Sequence, residues 1–159
     1  MNTAYLLLGS NTGDSRLMLN HAAQYIWTTV GPIKNASAVY RTAAWGDHDQ
    51  PDFLNRILVI ETSFTAEQTL GLILLCEKHM GRARTFKNAP RIIDIDILFF
   101  NDEVIDSAEL TIPHPEIQNR RFVLEPMAEI APALIHPVFH KTLHQLLQEC
   151  TDRLNVQKI

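Results

Sequence analysis

Ile92-Ile93-Asp94-Ile95-Asp96-Ile97-Leu98-Phe99-Phe100 is the stretch whose reading decides the fold. Its β-branched and aromatic residues make it the strongest strand signal in the chain. Side chains alternate across a strand, so Ile93, Ile95, Ile97 and Phe99 are expected on one face and Asp94 and Asp96 on the other, with the two carboxylates roughly 7 Å apart. Two carboxylates on one face of a central strand repel each other and lose hydration unless a cation or a basic cluster compensates. Magnesium takes one or two carboxylates and completes its octahedron with water and phosphate oxygens, so the pair has the right chemistry for it. A solvated strand face, or aspartates paired with a neighbouring cation, is the alternative that the pair alone leaves open.

The residues just before this strand add weight to the first reading. Gly81-Arg82-Ala83-Arg84-Thr85-Phe86-Lys87-Asn88-Ala89-Pro90-Arg91 carries four basic residues and no acid, in a chain whose formal net charge is −4. Chain connectivity delivers that loop beside the aspartates. Metals that bridge phosphate oxygens and guanidinium groups that grip them suit a triphosphate. The bland reading is a solvated loop that neutralises nearby acids.

Working outward, the other elements fall into order. Ala4–Leu8 reads as a buried strand, closed by the turn formers Gly9-Ser10-Asn11-Thr12-Gly13. Asp14 or Ser15 can cap a helix with Leu19, Ala22, Ala23 and Ile26 on one face, ended by Gly31-Pro32. Ile33–Thr42 and Phe53–Thr62 read as strands. Thr65 and Gln68 form a capping-box pattern ahead of Leu70, Ile73 and Leu74, and Gly81 stops that helix. Strand, helix, strand, strand, helix, strand is the pattern of a ferredoxin-like α+β sandwich, with helices on one face of an antiparallel sheet. Beyond Phe100 the prolines 113, 115, 126, 132 and 137 predict a C-terminal extension of short helices and loops, with a final helix over Thr142–Cys150.

A length of 159 residues, 46% apolar and 20% charged, suits one domain spanning 1–159. The weakly acidic balance argues against a nucleic-acid partner, which needs a surplus of Lys and Arg. The apolar run Ala4–Leu8 has no basic leader and is too short for a signal peptide or a membrane span. Cys76 and Cys150 form no close-spaced motif, so a reduced, cytoplasmic compartment is expected.

Three smaller signals remain. Gly9–Gly13 lacks the lysine and spacing of a phosphate-binding loop, and a tight connection explains it equally well. Phe53 and Asn55 share a strand face with Ile57 and Val59, where an amide beside an aromatic ring suits the edge of a stacked flat heterocycle, or else marks a polar strand end. His136, His140 and His144 are evenly spaced, but Pro137 interrupts a helix through them and neither cysteine nor carboxylate joins the set.

Taken together, these segments resemble the 6-hydroxymethyl-7,8-dihydropterin pyrophosphokinases. The resemblance runs through Leu6–Asn11, Tyr40–Thr42, Gln50–Asn55, Glu77, Gly81-Arg82, Ile112–His114, Asn119-Arg120 and Phe122–Leu124, and Lys87–Leu98 matches the family's signature segment. It implies a ferredoxin-like core and one-step transfer of diphosphate from ATP to the pterin, releasing AMP, in folate biosynthesis. It further implies two magnesium ions on Asp94 and Asp96, and phosphate contacts from Arg82, Arg84 and Arg91 on a mobile loop. Glu77, His114 and Arg120 would line the nucleotide side, and Thr42, Trp45, Phe53, Asn55 and Phe122 the pterin side. The enzyme is expected to act as a monomer on small-molecule substrates, with no nucleic-acid or membrane partner. The chain departs from many members in carrying Asn88-Ala89 where they have Trp-Gly, and Glu109 and Pro115 where some have arginine and tyrosine. A two-metal nucleotidyl transferase or cyclase, which would release pyrophosphate, and a ligand-binding regulatory module are the alternatives this fold class admits.

Overall fold

The computed structural model describes residues 1–43, 50–82 and 91–159. In chain order the elements are β1 (Asn2–Ser10), α1 (Ser15–Thr29), β2 (Ile33–Ala36), β3 (Tyr40–Thr42), β4 (Phe53–Thr62), α2 (Ala66–His79) and β5 (Asp94–Phe100). They continue with β6 (Ile105–Asp106), β7 (Thr111–Ile112), α3 (Arg121–Ile130), α4 (Leu143–Glu149) and β8 (Val156–Lys158). The capping signals act as expected. Asp14 accepts from Leu17 N at 3.1 Å to start α1, and Thr65 and Gln68 form the reciprocal box that starts α2. A second box, Thr142 with Gln145, starts α4.

The sheet runs β5-β1-β4-β3-β8, with β2 also on β4, and each described pairing is antiparallel. This is the ferredoxin-like order, with two differences from the expected elements. The segment Ile33–Thr42 is two strands rather than one. Ser37 breaks it, its N–H donating to Ile57 O and its Oγ accepting from Ile57 N, both at 2.9 Å. A side-chain hydroxyl there stands in for a ladder carbonyl. The second difference is β8, which no apolar run announces and which extends the sheet beyond β3.

Strand β5 lies at the edge of the sheet, not in its centre. Its apolar character comes from cover on both faces. On one side Ile93, Ile95, Ile97 and Phe100 pack with Leu6 and Leu8 of β1, Ile26 of α1 and Ile73 of α2. On the other, Leu98 and Phe99 pack with Leu7, Ile57, Val123 and Met127 of α3 and Leu146 of α4. The C-terminal extension is therefore a second helical layer. Phe99 also sits on the opposite face from that expected by alternation. The β1–β5 register slips between Tyr5, opposite Phe99, and Leu6, opposite Ile97, so Leu98 is an additional residue and the alternation reverses after it.

The connection from α1 to β2 is the tightest point of the fold. A Cβ on Gly31 would lie 1.9 Å from the Glu61 carbonyl oxygen, a main-chain atom that has no rotamer by which to move away. Gly31→Ala is expected to lower the free energy of unfolding by roughly 1–3 kcal/mol. Urea denaturation measures it, and a midpoint equal to that of the parent chain would show that the connection yields freely.

Candidate functional site

Register brings the polar residues into one row. Gly9 pairs with Asn55 of β4 on one side and with Asp94 of β5 on the other, and Leu7 pairs with Ile57 and Asp96. Side chains at Leu7, Phe53, Asn55, Ile57, Asp94 and Asp96 share the sheet face that α3 covers farther along. Because Gly9 has no side chain, a gap of two strand spacings, roughly 9.5 Å, separates Asn55 from Asp94. A Cβ there would meet Asn55 Oδ1 at 2.8 Å.

Two recesses open on this row. The first is bounded by Leu7, Gly9, Thr42, Ala43, Phe53, Asn55 and Phe122. In it Asn55 is buried and its Nδ2 donates to Thr42 Oγ1 at 2.9 Å, leaving the amide oxygen to the recess. The second is bounded by Leu70, Leu74, Glu77, Arg82, Glu109 and His114. Arg91, Asp94, Asp96 and Arg120 line both, so the carboxylates stand where the two recesses meet.

Opposite charges pair within the cluster. Arg82 bridges the Glu77 and Asp94 carboxylates, reaching Asp94 Oδ1 at 2.6 Å, and Arg91 reaches Asp94 Oδ2 at 3.0 Å. The Arg82 and Glu77 side chains are only 6% and 5% exposed, so their attraction acts at low local dielectric. Glu77 also accepts from Ile95 N at 2.9 Å, which ties α2 to β5. Burial pushes the Glu77 carboxyl up, against the pull of that N–H and of Arg82. Asp96 takes part in none of these ion pairs. Burial, then Asp94, then Glu77, raise its carboxyl to about 7 from an ordinary 3.8.

His114 reaches the site because its N–H donates to Leu98 O on the outer edge of β5, at 2.9 Å. Its Nδ1 accepts from Glu116 N at 3.1 Å, which directs Nε2 as the donor of the neutral ring. Burial and Arg120 lower its pKa, which favours that neutral form. The Arg120 guanidinium lies over the Phe122 ring, 5.7 Å from its centroid. Its Nε is buried with no acceptor among the described residues.

Of the residues singled out by sequence, Thr42, Phe53, Asn55, Phe122, Glu77, Arg82, Arg91, Asp94, Asp96, His114 and Arg120 are brought together around these recesses. Trp45 and Arg84 lie outside the described residues, as does the departure at Asn88-Ala89. Gly9, Leu7, Ala43 and Leu70 were not foreseen as lining, whereas Glu109, which departs from the arginine of some family members, lies in the second recess. Gly9 carried a usable signal: β1 runs through Ser10 rather than ending at Leu8, and a glycine inside a strand marks a close approach. The donor set suits a hard divalent cation. Asp94 spends two of about four acceptor directions on arginines, and Asp96 spends none on the ion pairs.

A family model described as 7,8-dihydro-6-hydroxymethylpterin-pyrophosphokinase (HPPK) matches residues 5–132. The chain is 41% identical over 151 residues to a 2-amino-4-hydroxy-6-hydroxymethyldihydropteridine pyrophosphokinase of Aquifex aeolicus, covering 95% of this chain and 94% of that one. It is 43% identical over 136 residues to the protein of that name in Methylorubrum extorquens, covering 85% and 86%. Among solved structures, a Plasmodium falciparum HPPK-DHPS chain crystallised with pteroate matches with a TM-score of 0.77 at 20% identity. That match covers 93% of this chain and 43% of the other, and is a likeness of fold.

The position of Asp96 has a consequence for stability that can be measured. Its folded pKa lies above its unfolded value, so its ionised form opposes folding, fully above about pH 7 and not at all below about pH 4. Without magnesium, Asp96→Asn is expected to be more stable than the parent by roughly 1–3 kcal/mol at pH 8, with the difference vanishing toward pH 4. Urea denaturation in EDTA at several pH values checks this, and a difference independent of pH would mean that Asp96 is well hydrated.

Proposed function

This chain belongs to the 7,8-dihydro-6-hydroxymethylpterin-pyrophosphokinase family, and from that membership we infer how its own residues carry out the family reaction. It transfers diphosphate from ATP to 6-hydroxymethyl-7,8-dihydropterin in folate biosynthesis, and AMP leaves. Membership sets aside the nucleotidyl-transferase and regulatory-module readings. The observation that carries the assignment of residues is the meeting of an aromatic, amide-lined recess with a cationic one at Asp94 and Asp96.

In this reading the pterin occupies the first recess. Phe53 and Phe122 supply ring faces, and the Asn55 amide, oriented by Thr42, reads the hydrogen-bonding edge. ATP occupies the second, with Leu70 and Leu74 offering apolar contact to the nucleoside. Arg82, Arg91 and Arg120 meet the phosphates, and His114 donates from Nε2. The hydroxymethyl oxygen attacks the β-phosphorus in line, a new P–O bond forms, the bond to the bridging oxygen of AMP breaks, and the hydroxyl proton is released. Such a transfer depends on position and charge more than on a strong base. Two magnesium ions held by Asp94 and Asp96 would neutralise phosphate oxygens there. The buried Nε of Arg120, without an acceptor among the described residues, supports an anion at this place, since a buried donor without an acceptor is otherwise costly. Arg84 and Trp45 belong to the same reading by resemblance alone. We take the whole chain, 1–159, as one domain acting as a cytoplasmic monomer. No described helix is long and apolar enough to cross a membrane.

An assay for AMP with ATP, magnesium and the pterin tests the reading. Asp94→Ala and Asp96→Ala are each expected to lower the rate at least about 100-fold, a loss of some 2.7 kcal/mol or more of transition-state stabilisation. Parent-like turnover in either variant would remove the carboxylates from the mechanism. The floor of the first recess gives a separate test. Gly9→Ala projects a methyl group at Asn55 Oδ1 and is expected to weaken pterin binding about tenfold, or 1.4 kcal/mol. The affinity for an ATP analogue should stay unchanged. Calorimetric titration of each ligand measures both, and equal weakening of the two would mean that the row itself has shifted.

A further inference from the structure

We propose that Asn11 is a positioning residue that locks the pterin strand and the phosphate strand into one geometry, an inference that rests on the reading above. Asn11 follows the last residue of β1 and is 3% exposed. It lines neither recess, yet it reaches the approach to both. Its Oδ1 accepts from Arg91 N at 2.8 Å, and its own N–H donates to Arg91 O at 3.0 Å. Its Nδ2 donates to Pro51 O at 3.2 Å and to Gln50 Oε1 at 3.1 Å.

Main-chain partners fix the orientation of the amide. Arg91 N can only donate and Pro51 O can only accept, so oxygen must face Arg91 and nitrogen must face Pro51. Only a short side chain with a donor and an acceptor at one branch point satisfies both. Aspartate would set oxygen against the Pro51 carbonyl, and serine or alanine would not span the distance.

The anchored residues are those from which the two substrate strands begin. Pro51 lies two residues before Phe53 and four before Asn55. Arg91 lies three before Asp94 and holds Asp94 Oδ2 at 3.0 Å with its own side chain. One buried amide therefore spans β1 in the direction of the row Asn55, Gly9, Asp94. Its loss would let the two strand entrances shift independently. A displacement of about 1 Å between reacting groups can cost about 100-fold in rate without removing any contact to substrate.

The test separates positioning from mere stability by two readouts. Asn11→Ala is expected to lower the single-turnover rate about tenfold or more, while the separate dissociation constants of the pterin and of an ATP analogue each change less than about threefold. Asn11→Asp, which keeps the acceptor for Arg91 N but sets a second oxygen against Pro51 O, should also lower the single-turnover rate, and serves if the alanine variant does not fold. The second readout needs no turnover. Pterin added alone to the parent should shift the amide resonance of Arg91, and the shift should shrink in either variant. Parent-like transfer below the melting temperature of a variant, or an undiminished Arg91 shift, would overturn the proposal. If the parent forms no AMP, the assigned reaction falls, and the resonance shift still decides the role of Asn11.

Discussion

The Asp94 carboxylate, held between Arg82 and Arg91, is the interaction on which the rest of the site depends. Arg82 extends the chain of charge to Glu77, and Glu77 accepts the N–H of Ile95 in the strand that carries Asp94. A closed circuit of α2, Arg82 three residues beyond its end and β5 results. It keeps three carboxylates, Glu77, Asp94 and Asp96, within one small volume that they would otherwise force apart. Such clusters are seldom the cheapest way to stabilise a fold, because desolvation offsets much of the attraction. Here the strain falls on Asp96, whose carboxyl is pushed up first by burial and then by Asp94 and Glu77, against the pull of Arg120 and Arg91. In the proposed reading a divalent cation would complete such a balance and admit the polyphosphate beside it.

The second constraint is steric, and it lies in the middle strand. β1 carries no group that touches chemistry, yet Gly9 stands between Asn55 and Asp94 and Leu7 between Ile57 and Asp96. A side chain at Gly9 would fill the space that separates the amide from the carboxylates. The site is thus a shallow trough across three strands, with its polar groups on the two outer strands and its floor on the central one. Strand ends are well suited to this, because the ladder fixes the row while one end of each strand remains open.

The layers explain why the polar row occurs only at that end. Along most of its length the α3 face of the sheet is filled by Ile57, Leu98, Phe99, Val123 and Met127. Helix α3 starts only at Arg121, and Arg120 and Phe122 at its start close the recess, with Phe122 also packed against the edge of the core. The C-terminal extension therefore both completes the core and supplies one wall of the site. The pairing of β8 with β3 ties the chain after α4 back to the sheet, beside Thr42.

What the sequence determined by itself was local. Period-two and helical patterns located β1, β4, β5, α1 and α2, and the Thr65–Gln68 box located the start of α2, since capping and amphipathicity act over a few residues. The D-x-D pair on an apolar strand and the basic segment before it were legible for the same reason: chain connectivity alone makes them neighbours. The resemblance of the segments then named a chemistry and its residues. Only the tertiary structure decided which strand lay at the edge, that Phe99 reversed its face, and that Ser37 split a strand. A bulge and a side-chain ladder bond are settled by the partner strand, which the local pattern does not contain. The same holds for Gly9 and Asn11. One reads as a turn former and the other as a loop amide, until the pairing of β1 with both neighbours brings Asn55, Asp94, Pro51 and Arg91 around them.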